Sequence, residues 1–341
     1  MAGERDEHES RVEMKYVQLG KAGIRVPEIC LGTMTFGNEA DDKTSFEIMD
    51  RAAEAGVNFF DTADIYSQGR SEEIIGAWMR ERREEIVVAT KVHYPTGPGP
   101  NERGSSRVHI LRGVHQSLRR LQTDHIDILY LHHWDAKTPL DESLAAMDDL
   151  VRAGKVLYCG VSNFSAWQTI KAIDLCAARD WASIVVIQPQ YSLVKRIAEV
   201  EILPMALHEG VAVCPYSPMG AGLLTGKYQR KETGRISTNA MYIERFKDPQ
   251  YMDTSNRFVA YAEKRGVHPA TLCVAWVLAH PAVTSPIIGA RNIEQLELGL
   301  AATDVQMSAE LYAEISALSP MPPLATDRER TAYVPFGPKT K

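Results

Sequence analysis

Four side chains in the first half of the chain could move a proton between them: Asp61, Tyr66, Lys91 and His132. Each follows an apolar run of strand length. Val57-Asn58-Phe59-Phe60 ends in Asp61 with Tyr66 five residues later, IVVAT at 86–90 runs into Lys91, and IDILYL at 126–131 runs into His132. A free tyrosine has a pKa of about 10 and needs help to give or take a proton near neutrality. A lysine ammonium beside it favours the phenolate and lowers that pKa, and an aspartate keeps the lysine charged and oriented. His132 can hydrogen-bond a carbonyl oxygen. The set suits carbonyl reduction, with Tyr66 giving the proton as hydride arrives from elsewhere. Singly, Asp61 could cap a loop, Tyr66 sit on the surface, Lys91 snorkel at a rim and His132 be a satisfied core residue. Their recurrence at the ends of successive strands favours the functional reading.

The elements that must position them alternate. Strand-like runs fall at 29–31, 59–60, 86–89, 126–131, 156–160, 184–187, 211–215 and 286–288. Between them lie helical patterns at 43–55, 71–82, 106–121, 140–153, 165–178, 197–209, 255–265, 269–280 and 293–301. An Asp pair precedes the first helix, Ser71-Glu72-Glu73 reads as a cap for the second, and Gly154 as the C-terminal stop of the fourth. Eight short strands separated by helices predict an α/β fold, a (β/α)8 TIM barrel, with an open doubly wound sheet as the competing arrangement. Residues 15–19 and 24–27, joined by Gly20-Lys21-Ala22-Gly23, predict an N-terminal β-hairpin. A charged leader at 1–13, a barrel at 14–318 and a Pro-rich tail at 319–341 complete the expected organisation.

In such a barrel the site gathers at the C-terminal ends of the strands. The residues at or just beyond the ends of these runs are Gly32-Thr33-Met34, Asp61, Lys91, His132, Ser162-Asn163, Gln188, Tyr216-Ser217 and Gly289-Ala290-Arg291. His133 falls on the opposite side from His132 if the strand continues, and reads as structural. Two long connections, 93–105 and 219–253, are expected as lids or binding loops on that face.

Composition narrows the partners. A chain of 341 residues that is 45% hydrophobic and 24% charged, with net charge −6, carries no basic footprint for nucleic acid or an anionic membrane. No 18-residue apolar stretch or signal-like segment occurs. The five cysteines are far apart, with no CxxC pair, which fits structural thiols in a reducing, cytoplasmic compartment. Gly220, Gly222 and Gly226 miss the GxGxxG spacing, Gly226-Lys227 is followed by Tyr228 rather than Ser or Thr, and no HExxH or GxSxG occurs. No resident metal is expected, and a small molecule is the expected partner. The oligomeric state is not legible.

Several ordered motifs then carry a resemblance: Leu31-Gly32-Thr33-Met34; 56–63 (GVNFFDTA) with Tyr66 downstream; 127–132 (DILYLH); Gly154-Lys155-Val156 with 160–164 (GVSNF); and Gln188-Pro189-Gln190-Tyr191. Over roughly residues 15–301 the chain resembles the aldo-keto reductase superfamily. The family's catalytic tetrad would map onto Asp61, Tyr66, Lys91 and His132. The resemblance implies a nicotinamide cofactor held without a Rossmann domain. Its carboxamide would lie on Ser162, Asn163 and Gln188, and its ring on Tyr216. Ser217, Pro218, Leu223 and Lys227 would follow the pyrophosphate, with Gly220 and Gly222 allowing close approach. Gly289, Arg291 and Gln295 match the adenosine end, and Gly32, Thr33, Met34 and Asp61 complete the implied cofactor set. The run 290–296 (ARNIEQL) resembles the branch of bacterial and fungal reductases and potassium-channel beta subunits.

There are departures. Leu298 and Gly299 stand where that branch has a Glu-Asn pair at the adenine, and Gly289 and Gln295 replace the lysine and arginine that grip a 2′-phosphate in short-chain members. Arg291 could supply the missing charge, so NADP(H) is the expected cofactor and NAD(H) stays open. The implied activity is NADPH-dependent reduction of an aldehyde or ketone, reversible in principle. The alternative is an NADP(H)-binding, redox-sensing regulatory subunit with little turnover, and a metal-dependent hydrolase is a third, weaker reading. Phe36, Tyr94, Trp134 and the loop at 242–251 are candidate substrate contacts, and could equally be packing residues.

Overall fold

A computed structural model describes residues 13–326. All of the expected leader but Glu13, and 327–341 of the expected tail, lie outside the described residues. β1 (Tyr16–Gln18) and β2 (Arg25–Pro27) form the antiparallel hairpin. Gly20, at φ +58°, lies so close to the backbone of Gly210 and Ala212 that a side chain would collide, which seats the hairpin under the sheet. Eight parallel strands follow: β3 (Cys30–Gly32), β4 (Phe59–Asp61), β5 (Val87–Val92), β6 (Ile126–Leu131), β7 (Val156–Ser162), β8 (Ile184–Gln188), β9 (Ala212–Val213) and β10 (Ile287–Gly289). Each pairs with its neighbour in chain order, and β10 pairs with β3. The ring closes where Thr284 N donates to Val213 O (2.8 Å), Ile287 N donates to Pro215 O (2.9 Å) and Tyr216 bridges Ile287 in parallel.

The helices are α1 (Asp42–Glu54), α2 (Arg70–Met79), α3 (Arg107–Leu121), α4 (Leu140–Arg152), α5 (Ala166–Arg179), α6 (Ile202–Glu209), α7 (Arg235–Thr238), α8 (Ala240–Arg245), α9 (Pro249–Lys264), α10 (Pro269–Ala279), α11 (Ile293–Leu300) and α12 (Ala309–Ser316). Strand alternation divides the apolar side chains into two cores. Inward residues Cys30, Phe59, Ala89, Ile128, Tyr130, Val186, Cys214 and Ile287 fill the barrel, with Leu19 and Val26 of the hairpin beneath them. Outward residues such as Leu31, Phe60, Val88, Leu129, Val161 and Ile187 pack against the helices. Gly160 has no side chain because Tyr130 fills its place: a Cβ there would meet the Tyr130 ring at 2.7 Å. All five cysteines are free and buried. No described helix is long and apolar enough to cross a membrane.

Differences from expectation have local causes. β9 stops at Val213 because Pro215 has no N–H to donate, and only its carbonyl joins the ladder. The helix expected at 197–209 breaks into a turn at Ile197–Glu199 and α6, since Pro204 fits only in a first helical turn. α9 begins before the expected 255, capped by Asp248 with Pro249 at its first position. The connection 219–253 is thereby shortened and holds a 3-10 segment at Gly220–Thr225 as well as α7 and α8. α12, outside the expected series, stacks Tyr312 on Trp276 with ring centroids 5.6 Å apart. Ser319, expected to start a surface tail, is buried, and its carbonyl accepts from the Arg196 guanidinium at 3.3 Å.

Candidate active site

Parity decides which side chains reach the mouth of the barrel. Continuing the inward positions of each strand gives Gly32, Asp61, Lys91, His132, Ser162, Gln188, Tyr216 and Gly289. Gly32 is in register with both Asp61 and Gly289, and Ser162 with Gln188.

Lys91 is wholly buried beneath the cavity floor, and all three of its donors are committed. Its Nζ donates to Asp61 Oδ1 (2.5 Å), to Thr62 O (2.7 Å) and to Tyr66 OH (3.2 Å). Gln188 Nε2 donates to the second oxygen, Asp61 Oδ2, at 2.8 Å. Burial works against the Lys91 ammonium, but Asp61 and Tyr66 outweigh it and hold its pKa above the usual lysine value. Burial also raises the Asp61 carboxyl, with Lys91 opposing. The Tyr66 phenol departs from the sequence expectation: burial raises its pKa, and the lowering by Lys91 does not overcome this. Tyr66 is thus a neutral phenol whose oxygen already accepts from Lys91, so its own proton remains to be donated.

The loop carrying Tyr66 is held in a strained path. Ser67 and Gln68 have positive φ (48° and 57°), and Gly69 follows at 92°. Ser67 Oγ donates to Phe36 O (2.7 Å). Ser71 does not cap α2, since Gly69 precedes the helix in the left-handed region. Buried Ser71 Oγ instead lies 2.8 Å from Thr33 Oγ1 and 2.9 Å from Thr62 Oγ1, tying the loops after β3 and β4 together.

The His132 ring meets Tyr66 edge-on at 6.0 Å and Tyr94 at 4.7 Å. Burial, then the Lys91 charge, pushes its pKa well below the usual histidine value, so the ring is neutral. Its buried Nδ1 has no hydrogen-bond partner among the described residues. Asn163 Nδ2 donates to His132 O (2.9 Å), and Tyr216 OH donates to Asn163 Oδ1 (2.8 Å). A cavity of about 930 Å³ opens above these groups.

The aldo/keto reductase family model matches residues 28–320. The chain belongs to the aldo/keto reductase family. It is 41% identical over 321 residues to the uncharacterized oxidoreductase YrpG of Bacillus subtilis, covering 91% of this chain and 97% of that one. A probable voltage-gated potassium channel subunit beta of Arabidopsis thaliana is 37% identical, covering 86% of this chain and 92% of the relative. Norsolorinic acid reductase B of Dothistroma septosporum is 34% identical, covering 91% and 83%. The protein is an oxidoreductase of this family, whose members use nicotinamide cofactors.

The cavity of this aldo/keto reductase fits a dinucleotide. Gly32, Thr33, Met34, Ser162, Asn163 and Gln188 line it beside Asp61, Tyr66 and His132. Tyr216, Ser217, Pro218, Gly222 and Lys227 continue the wall toward Gly289, Arg291, Gln295 and Leu298. A Cβ on Gly222 would sit 2.6 Å from Lys227 Nζ, so glycine is what lets that ammonium lie there. Burial, then the charges of Arg291 and Arg235, lower the Lys227 pKa. Glu39 and Glu232 oppose this lowering without overcoming it, and an anion bound beside Lys227 would favour its charged form.

Other expected contacts lie elsewhere. Gly220 and Leu223 do not line the cavity: both are buried, and Leu223 packs into the strand–helix core. Of the expected substrate contacts, Tyr94 lines the cavity, as do Tyr242 and Arg245 of the 242–251 loop, whereas Phe36 and Trp134 do not. Phe36 is fully buried, and its carbonyl anchors the Tyr66 loop. Trp134 packs edge-on against Phe164 at 5.2 Å and Trp167 at 5.5 Å. His133, read as structural, is exposed on the cavity wall, because β6 ends at Leu131 and the ladder carries no further than His132 N to Val92 O. Sequence reasoning did not name Glu39, Arg230, Arg235 and Met241 in the wall. The basic and aromatic composition of 219–253 was the one signal for Arg230, Arg235 and Met241, and Glu39 had none.

One buried carboxyl near the site stands in no ion pair among the described residues. Asp64 is 3% exposed with neither carboxyl oxygen well hydrogen-bonded, and burial together with the Glu72 charge pushes its pKa up to about 8. The folded state therefore holds a proton that the unfolded chain releases above its ordinary value, and stability falls as pH rises from about 4 to about 8. Asp64→Asn is expected to stabilise the fold, by up to several kcal/mol at pH 8 at about 1.4 kcal/mol per pKa unit and little at pH 4.5. Urea midpoints at the two pH values check this; equal gains at both would refute it.

Proposed function

We propose that the protein reduces an aldehyde or ketone to an alcohol, with NADPH as the preferred cofactor and Tyr66 as the acid. The observation that carries this reading is the full commitment of Lys91. With its three donors on Asp61, Thr62 and Tyr66, the phenol oxygen is held and its proton is left for the carbonyl oxygen. Neutral His132 orients that oxygen by a hydrogen bond, and Asp61 keeps Lys91 charged and fixed. Ser162, Asn163, Gln188 and Tyr216 would hold the nicotinamide, and Lys227 and Arg291 the phosphates. The cofactor supplies the hydride when bound. In the reverse direction Tyr66, as phenolate, would accept the proton.

The unbalanced cations Lys227 and Arg291 favour NADPH, which carries one more phosphate than NADH. A charge-assisted hydrogen bond contributes about 1.5–3 kcal/mol. Arg291→Gln is therefore expected to weaken NADPH binding by about 10- to 100-fold and NADH by much less. Titration calorimetry with both cofactors checks this. Consumption of each should then be followed against aromatic aldehydes, α-dicarbonyls, keto-sugars and bulky cyclic ketones. Equal use of NADH by the wild type would sink the preference, and no carbonyl-dependent consumption would sink the reductase. The five buried free cysteines fit a cytoplasmic, reducing compartment.

A second reading draws support from the likeness to proteins named as probable potassium channel beta subunits. A redox-sensing subunit would bind NADPH tightly, turn over nothing in the panel and bind a larger partner. The committed Lys91 and neutral Tyr66 favour the enzyme.

A further inference from the structure

Some charged groups around the cavity are paired, while Lys227, Arg245, Arg291 and Glu294 stand in no ion pair among the described residues. Asp61 faces Lys91, Arg230 Nε faces Glu232 Oε1 at 2.7 Å, and Arg235 Nη2 faces Glu39 Oε2 at 2.8 Å. Arg291 lies close enough to Lys227 to lower its pKa, at the end where the dinucleotide phosphates belong. Arg245 lines the cavity from α8, and no ion pair to it is found among the described residues.

The acids nearest Arg245 in sequence are engaged elsewhere. Glu244 accepts from Lys247 Nζ at 2.5 Å, Asp248 caps α9 by accepting from Gln250 N at 2.9 Å, and Asp253 accepts from Arg257 at 2.8 Å. The Arg245 guanidinium lies 5.5 Å from the Tyr242 ring centroid, and its Nη2 is 4.0 Å from Met241 Sδ. Its charge also acts on the phenols of Tyr94 and Tyr216, opposing the rise that burial imposes on both. Tyr94 packs on the catalytic imidazole at 4.7 Å, and Tyr216 is hydrogen-bonded through Asn163 to the His132 carbonyl. Arg245 therefore shares the wall of the cavity with Tyr94, Tyr216 and His132, and the Tyr242 ring lies against both Arg245 and Arg235.

We propose that Arg245 is a specificity-determining residue that selects carbonyl substrates bearing a carboxylate or comparable anionic group on an aromatic or apolar body. The inference rests on the reductase reading and names its substrate class. A guanidinium set beside aromatic rings at the cavity wall gains from a planar oxyanion, which it can grip with two parallel N–H donors. A neutral aldehyde would leave that charge uncompensated once the substrate excluded water from the cavity. Tyr94 and Tyr242 supply faces for a ring.

The test uses the full-length protein with NADPH and two aldehydes that differ in charge, 4-carboxybenzaldehyde and its methyl ester, methyl 4-formylbenzoate. 3-Carboxybenzaldehyde is included to vary the placement of the anion. The wild type is expected to prefer the better-placed acid over the ester in kcat/KM, chiefly through KM. Arg245→Met is expected to lower that acid-to-ester ratio by about 10- to 100-fold, with Arg245→Lys intermediate. Calorimetry with the product anions 3- and 4-(hydroxymethyl)benzoate gives a readout independent of turnover, and the same loss of affinity is expected in Arg245→Met. Ratios that do not depend on residue 245, with both aldehydes reduced, would overturn the inference and leave the reductase standing. Absence of Tyr66-dependent reduction of all three, with other carbonyls still reduced, would overturn the inference, and its absence across the whole carbonyl panel would overturn the reductase reading itself. Product-anion affinity unchanged in Arg245→Met would overturn the anion site whatever the kinetics.

Discussion

Tyr66→Phe is expected to lower kcat for carbonyl reduction by on the order of 10²–10⁴-fold, the usual contribution of a positioned general acid. Its NADPH affinity should stay within about twofold, because the ring remains and only a hydroxyl is lost. The pH profile of the wild type follows from the same geometry. Burial raises the phenol pKa, so the acid form persists across the neutral range. Reduction should be insensitive to Tyr66 ionisation until the pH passes the ordinary phenol value of about 10, whereas alcohol oxidation, which needs the phenolate, should rise over that alkaline range. His132 is held neutral, so protonation of its ring should depress activity only below its ordinary value of about 6.5. Initial rates in both directions from pH 5 to 10.5 check this. A reduction rate that halves near pH 7.5, or normal turnover in Tyr66→Phe, would remove Tyr66 from the role assigned to it.

The site is legible in the sequence because β-strand alternation is a short-range rule. Phe59 inward and Phe60 outward forces Asp61 inward, and the same count from Ala89 reaches Lys91 and from Tyr130 reaches His132. His132 lies one residue past β6, but its N–H still donates to Val92 O at 3.0 Å, so the count carries to it. Where the chain leaves a strand the rule stops, and there the sequence says least. Extending β6 past Leu131 misplaces His133. Phe36 and Trp134 resemble Tyr94 in being aromatic and near strand ends, yet contacts distant in sequence send Phe36 into the core and Trp134 to Phe164 and Trp167. Ser71 resembles a cap by its neighbours, but its hydroxyl serves Thr33 and Thr62. The Pro249 start of α9 and the Pro204 limit on α6 are local signals that the helical periodicity overrode. The path of 219–253 has no such signal, since Ala221 and Lys231 adopt left-handed backbone without being glycine.

Lys91→Met is expected to cost the fold about 3–5 kcal/mol at neutral pH, the range for removing one partner of a buried ion pair. Asp61 would then keep only Gln188 as a side-chain hydrogen-bond donor, and the sign of the pH dependence follows. Losing Lys91 removes the main influence that lowers the Asp61 pKa, so the folded variant prefers the protonated acid more strongly than the unfolded chain does. That preference penalises folding wherever the unfolded carboxyl is ionised, above about pH 4, and fades as pH falls toward that value. The deficit against wild type should therefore be largest near pH 7.5 and shrink toward pH 4.5 in urea titrations. Asp61→Asn combined with Lys91→Met removes both charges and leaves an amide that can still meet Gln188. This double variant should recover at least half of the lost stability at pH 7.5. Its turnover should stay down by about 10²-fold or more, because Tyr66 loses the ammonium that fixes its oxygen. Recovery of stability without activity separates the two roles of the pair. If the double variant is as unstable as the sum of the two single changes, the 2.5 Å contact between Lys91 and Asp61 is not the coupled pair that holds the floor of the site.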